Sequence, residues 1–354
     1  MPEYRYRYYS ASELWSRLEG SLEEGAGAMD SIFRFLNKVL PLSLQHVFRD
    51  SGGFRQLHDC GAVALACGLI LIKPTLLLLH WRIGKSRRTY YYGISCCEHK
   101  QIELYDTLCS SKEERASLAN SGGEGRLLVF VHGGAWGSGR LWMYRVIANN
   151  ISRCFCCSRF ALIRYPVYTM TDGSIIQQAL AVGSAVDKAR SVGDAEAPRE
   201  VVLCGHSSGA NVASLSVVKN FCSVSALLSL AGVFDVYKHF LWESSRGVME
   251  VSPMKAAAGD IEGMASCSPA LLARCMQRAG THFLLYHGLL DHTVPCAQTR
   301  EFREALLDGG ARVSAVYRPV GHAAPVADFL FYDRETASRG AVAELFRHYC
   351  AGRA

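Results

Sequence analysis

One stretch constrains the fold of this chain more than any other. Val201-Val202-Leu203-Cys204 runs straight into Gly205-His206-Ser207-Ser208-Gly209, and Ala210-Asn211 open a helical pattern. A strand and a helix with no spare residue between them must meet in a very tight corner. Glycines two before and two after the serine remove side chains that would strike the strand and the helix, and they leave the serine in strained backbone at the apex. The pentapeptide alone is weak in a chain with 32 glycines. The strand before it and the helix after it make Ser207 a candidate nucleophile.

From Tyr90 onward, short apolar runs alternate with helical patterns and turn residues, which predicts an α/β chain with a mostly parallel central sheet flanked by helices. Strands are expected at 101–105, 127–131, 160–164, 201–204, 227–230, 283–286 and 313–317. Several are continuous apolar runs, as suits strands covered on both faces. Helices are expected at 175–190 behind a Ser174 cap, at 298–307 and at 341–349. The long interval of about 234–280 between two strands is the place for a cap over a site.

A serine hydroxyl needs a histidine to remove its proton and a carboxylate to orient that histidine. Strand 283–286 leads into Gly288-Leu289-Leu290-Asp291, and strand 313–317 leads to Gly321-His322. Ser207, Asp291 and His322 each follow a strand. Catalytic groups of an open parallel sheet gather at the carboxyl ends of its strands, so all three can converge. His287 and His292 are the competing histidines, and Asp235 and Asp328 the competing carboxylates. Upstream, strand 127–131 ends in His132-Gly133-Gly134-Ala135-Trp136, where backbone N–H groups can face a cavity. Gly134 and Ala135, with Ser208 after the nucleophile, are the expected oxyanion donors, and His132 is expected to brace their loop.

Composition narrows the alternatives. Hydrophobic residues make up 49% and charged residues 20% of the 354, which excludes general disorder, and a net charge of +6 without long basic runs excludes nucleic acid as a partner. The 14 cysteines are scattered or adjacent, as in Cys154-Phe155-Cys156-Cys157, and read as free thiols of a reducing compartment. No second Cys/His pair with ligand spacing follows them, so no metal is expected.

Four regions follow: a polar and amphipathic region 1–59, an apolar run 60–81, a basic linker 82–99 and a catalytic domain 100–354. Within the first, 32–48 reads as a docking helix, with an interfacial helix as the alternative. The run 60–81 is of bilayer-spanning length but is broken by Lys73-Pro74, so it reads as a membrane segment or as a buried helix. Arg49 and Arg55 before it are outnumbered by Arg82, Lys85, Arg87 and Arg88 after it. The positive-inside bias therefore puts the catalytic domain of a membrane-associated, endomembrane protein in the cytosol, the alternative being a cytoplasmic chain.

These residues resemble the α/β-hydrolase superfamily, in the esterase and lipase branch with an HGGxW loop. That branch includes feruloyl-esterase-like proteins, kynurenine formamidases and isoprenylcysteine methylesterases. The resemblance spans about 101–350 and rests on His132 to Trp136, Gly205 to Gly209, Gly288 to Pro295 and Gly321-His322. It implies the α/β-hydrolase fold with a cap insertion and an N-terminal apolar segment. It also implies a carboxylic ester hydrolase acting through an acyl-enzyme on a small-molecule or lipid-like ester, with no cofactor. A formamidase-like amidase, an isoprenylcysteine methylesterase-like enzyme and a catalytically inactive scaffold remain the alternatives. One departure stands out: where many relatives carry Asp-Tyr-Arg, this chain has Arg164-Tyr165-Pro166-Val167-Tyr168, which puts the transfer of a particular substrate in doubt.

Overall fold

The computed structural model describes residues 74–94, 97–109, 116, 125–168, 173–192, 198–249, 252–276, 280–330 and 335–352. Its strands are, in chain order, β1 (Arg88–Ile94), β2 (Cys97–Asp106), β3 (Arg126–Val131), β4 (Arg159–Ile163), β5 (Glu200–His206), β6 (Ala226–Leu230), β7 (His282–Gly288) and β8 (Arg312–Arg318). They form one eight-stranded sheet in the order β1-β2-β4-β3-β5-β6-β7-β8. β2 runs antiparallel to both its neighbours, and every pairing from β4 to β8 is parallel.

The helices are α1 (Pro74–Gly84), α2 (Arg145–Cys154), α3 (Ile175–Ser191), α4 (Ser208–Val218), α5 (Val236–Ser245), α6 (Met254–Ala258), α7 (Ile261–Ser266), α8 (Pro269–Leu272), α9 (Ala297–Asp308), α10 (Ala324–Ala327) and α11 (Ala337–Ala351). They cover both faces of the sheet. Leu127, Val129 and Val131 of β3 pack into a core with residues of α3, α4 and α9, whereas Leu128 and Phe130 of the same strand pack with residues of α1, α2 and α11. That two-sided burial explains why β3, β4, β6 and β7 read as mostly apolar runs. Ser174 caps α3 as expected: its Oγ accepts from Gln177 N–H at 3.3 Å, and Gln177 Oε1 accepts from Ser174 N–H at 2.9 Å, which satisfies two donors reciprocally.

The stretch expected as a basic linker, 82–99, instead contributes β1 to the sheet edge. Its arginines are partnered across the strand pair, Arg88 with Asp106 at 2.6 Å and Arg87 with Glu103 at 3.8 Å. Tyr92 is buried while Tyr91 is exposed, the alternation of a half-covered strand. The end of the apolar run, 74–81, begins α1. This helix docks on the sheet's α2 face through Leu76 and Ile83, and Arg145 Nη1 lies 3.2 Å from His80 Nε2. Residues 1–59 and 60–73, with the expected helix at 32–48, lie outside the described residues. Among the described residues, no helix is long and apolar enough to cross a membrane.

Candidate active site

The corner after β5 is set by backbone meeting backbone. A Cβ on Gly209 would lie 2.3 Å from His132 O, and one on Gly205 would lie 2.5 Å from Gly209 O. Any larger residue at either position has to push two main chains apart. Ser207 at the apex has φ 56° and ψ −125°, a conformation that L side chains adopt only where the surroundings impose it. Its N–H donates to Leu230 O at 2.9 Å, which ties the apex to the end of β6.

The turn after β3 is equally unusual. Gly134 (φ 135°), Ala135 (φ 51°) and Trp136 (φ 59°) are three successive residues of positive φ. The loop is pinned from below: Trp136 is buried, and its Nε1–H donates to Asn211 Oδ1 at 3.0 Å. Gly134, Ala135 and Ser208 all border the cavity in front of Ser207. Ser208 opens α4, where backbone N–H groups have no partner within the helix.

The loops after β7 and β8 bring the remaining expected residues to this corner. His322 Nε2 lies 3.0 Å from Ser207 Oγ, and His322 Nδ1 lies 2.7 Å from Asp291 Oδ2. Asp291 Oδ1 accepts from the N–H groups of Thr293 at 2.9 Å and Val294 at 2.8 Å. His287 Nε2 sits 3.2 Å from Asp291 Oδ2. Burial alone pushes the Asp291 carboxyl up, but His322 and His287 outweigh it and hold the group below the usual carboxylate range. Asp291 is therefore a buried carboxylate that stays ionised because two histidines and two amides surround it.

The competing residues have other duties. His287 contacts Asp291 and also lies 2.6 Å from Thr299 Oγ1, while His292 O accepts from Arg246 Nη1 at 2.7 Å. Asp235 caps α5 by accepting from Lys238 N–H at 2.9 Å, and Asp328 accepts from Ser338 N–H at 3.3 Å. His132 does brace its loop: its ring stacks on Tyr165 at 4.5 Å, and its carbonyl accepts from Tyr165 Oη at 2.6 Å. Burial pushes the His132 ring down to about 4, so it stands neutral in the loop it supports.

A sheet of this strand order, flanked by helices on both faces, matches the fold of solved esterases over most of their length. The fold is that of the α/β-hydrolases. The chain aligns with an esterase of Thermogutta terrifontis in its propionate-bound form at TM-score 0.55 and 17% identity, covering 76% of this chain and 94% of the other. It aligns with the esterase rPPE at TM-score 0.60 and 14% identity, covering 95% of each. The sequence profile described as the Prolyl oligopeptidase family matches residues 182–336. A curated relative, an isoprenylcysteine alpha-carbonyl methylesterase of Arabidopsis thaliana, is 22% identical over 276 residues, 72% of this chain and 61% of that protein. The chain thus spans under two thirds of that relative's length.

Around the corner, several residues that sequence reasoning passed over hold the loops together. His206 donates from Nε2 to His322 O at 3.2 Å, and burial, with His322 nearby, pushes its ring down to about 3. Asn211 bridges Trp136 and Cys267 O, the latter at 3.1 Å. Their signal was only proximity in sequence to the corner. The cavity in front of Ser207 has a volume of about 660 Å³ and is lined on the cap side by His239, Glu243 and Pro253.

Proposed function

We propose that this chain hydrolyses carboxylic esters through an acyl-enzyme on Ser207. The observation that carries the reading is the unbroken line Ser207 Oγ, His322 Nε2, His322 Nδ1, Asp291 Oδ2, with spacings of 3.0 and 2.7 Å at its two hydrogen bonds. With Nδ1–H held by Asp291, the Nε2 lone pair faces the hydroxyl. His322 takes the proton as Oγ attacks the ester carbonyl, and Asp291 stabilises the imidazolium that forms. The N–H groups of Gly134, Ala135 and Ser208 hold the oxygen that becomes negative. His322 then returns the proton to the leaving alcohol, and water repeats the sequence to release the acid. A small-molecule or lipid-like ester fits the cavity, and the Arabidopsis relative supports an ester of the isoprenylcysteine kind. The test is labelling by a fluorophosphonate probe and turnover of p-nitrophenyl esters of increasing chain length. Both are expected to vanish in Ser207→Ala while the fold persists, and retained turnover would remove Ser207 from the reaction.

A second reading, cleavage of an amide by the same residues, is favoured by the Prolyl oligopeptidase profile. A matched ester and anilide measured side by side separate the two.

We also propose that the N-terminal region brings the domain to a cytosol-facing membrane surface. Leu77, Leu78 and Trp81 are exposed on α1 beside Arg82 and Lys85, an apolar face rimmed by cations that suits an anionic lipid boundary. The full chain is expected to stay in the pellet after alkaline carbonate washing. Its catalytic domain should be open to protease added to sealed microsomes whose cytosolic face is outward. Pelleting that survives deletion of residues 1–89 would refute the assignment.

A further inference from the structure

His239 and Glu243 form the cap wall of the cavity and take no part in the proton relay. They stand four residues apart on α5, which puts them on one face of the helix, with His239 Nε2 3.3 Å from Glu243 Oε1. They are 3% and 2% exposed. A carboxylate so buried is costly unless its oxygens are satisfied. Yet Glu243 Oε2 and His239 Nδ1, both buried atoms, each have no hydrogen-bond partner among the described residues, although both residues line the space that Ser207 and His322 line. The neighbouring cavity wall from Val233, Pro253 and Val294 is apolar. The His239 ring meets Trp136 edge-on at 6.5 Å, so the pair lies against the oxyanion loop and not at the cavity rim.

A buried acceptor in an apolar wall, with no partner among the described residues, is the arrangement that fixes the orientation of a ligand carrying a donor. We propose that His239 and Glu243 form a subsite that accepts a nitrogen donor of the substrate, an ammonium or an amide N–H, through Glu243 Oε2. His239 holds the carboxylate in place from the other oxygen. The inference rests on Ser207 being the nucleophile of this cavity. An ammonium would neutralise the carboxylate, whereas an amide N–H would satisfy only its lone pair, so comparing the two reports the charge of the pair.

The experiment uses the full chain and two series of esters, one varied on the acyl side and one on the alcohol side. Each series carries an ammonium, an acetamido N–H or a methyl group at the same position. In one of the two series, kcat/KM is expected to favour a nitrogen donor over methyl by about tenfold or more, and Glu243→Gln should bring that ratio close to one. The same compounds are also titrated calorimetrically into Ser207→Ala, which scores the subsite without turnover. Donor-dependent binding in a chain that turns over no ester would support the subsite and sink the proposed reaction. Turnover with no donor preference in either series would overturn the subsite and leave the reaction standing. If Glu243→Gln does not fold, the preference of the unmodified chain and the binding to Ser207→Ala decide the matter on their own.

Discussion

The corner at Ser207 and the cap that faces it are built on opposite principles. At the corner, main chain presses on main chain: Gly209 against His132 O and Gly205 against Gly209 O, with little room for a side chain. In the cap, four helices of 10, 5, 6 and 4 residues carry exposed Leu241, Ile261 and Leu271 on one side and the buried His239–Glu243 pair on the other. Helices this short have little stability of their own and are held by packing. The contrast teaches that the apex serine is positioned here by backbone, while the opposite wall of its cavity is set by side chains on small pieces held by packing.

The most severe way to test the backbone side of that contrast is to disable the relay. Asp291→Asn and His322→Ala should each lower kcat by about 10³-fold or more, and combining either with Ser207→Ala should add little, because the three act as a unit. Losses that multiply would mean the corner works through another residue set. A milder break loosens the corner without touching the relay. Trp136→Phe removes the indole N–H and leaves Asn211 Oδ1 buried without its donor, which should cost about 1–3 kcal/mol in urea unfolding. An unchanged midpoint would show that the oxyanion loop keeps its shape without that bond.

A third effect is on acid stability, and the corner contributes to it. His206 and His132 are held down to about 3 and about 4 from an ordinary 6.5, so they stay neutral in the fold where the unfolded chain takes up protons. The unfolded state therefore binds more protons below about pH 6.5, and stability falls as pH drops toward 4. The limiting slope is about 1.4 kcal/mol per pH unit for each group. Thermal melting between about pH 7.5 and about pH 4.5, on either side of an ordinary histidine's value of about 6.5, checks this, and a flat Tm across that range would refute it.

What the sequence disclosed follows the same division. The strands of the parallel half were readable because burial on both faces favours apolar residues, and the meeting of Ser207, Asp291 and His322 was readable because glycine spacing and strand ends mark backbone positions. β1 was not, because Arg87 and Arg88 look like a solvated linker until Glu103 and Asp106 are seen opposite them. The end of the apolar run likewise hid its docking: Leu76 and Ile83 reach the core while Leu77 and Leu78 do not, and an all-apolar string carries no mark of which residues turn inward. His239 and Glu243 were invisible for the reverse reason. A His and a Glu one helical turn apart read as a water-facing pair, and only the three-dimensional arrangement shows the cavity on their side.

One side chain joins the two regions. The Asn211 amide receives the Trp136 indole proton on its oxygen and gives a proton to Cys267 O from its nitrogen, so the loop that shapes the oxyanion turn and the segment leading into α8 hang from the same planar group. A planar group cannot follow two anchors that separate. Any shift of Cys267 must stretch one of those bonds, and the disturbance arrives at Trp136, two residues from Gly134. A change in how the cap is seated is thereby passed to the turn that borders Ser207, with no mobile lid required to carry the message.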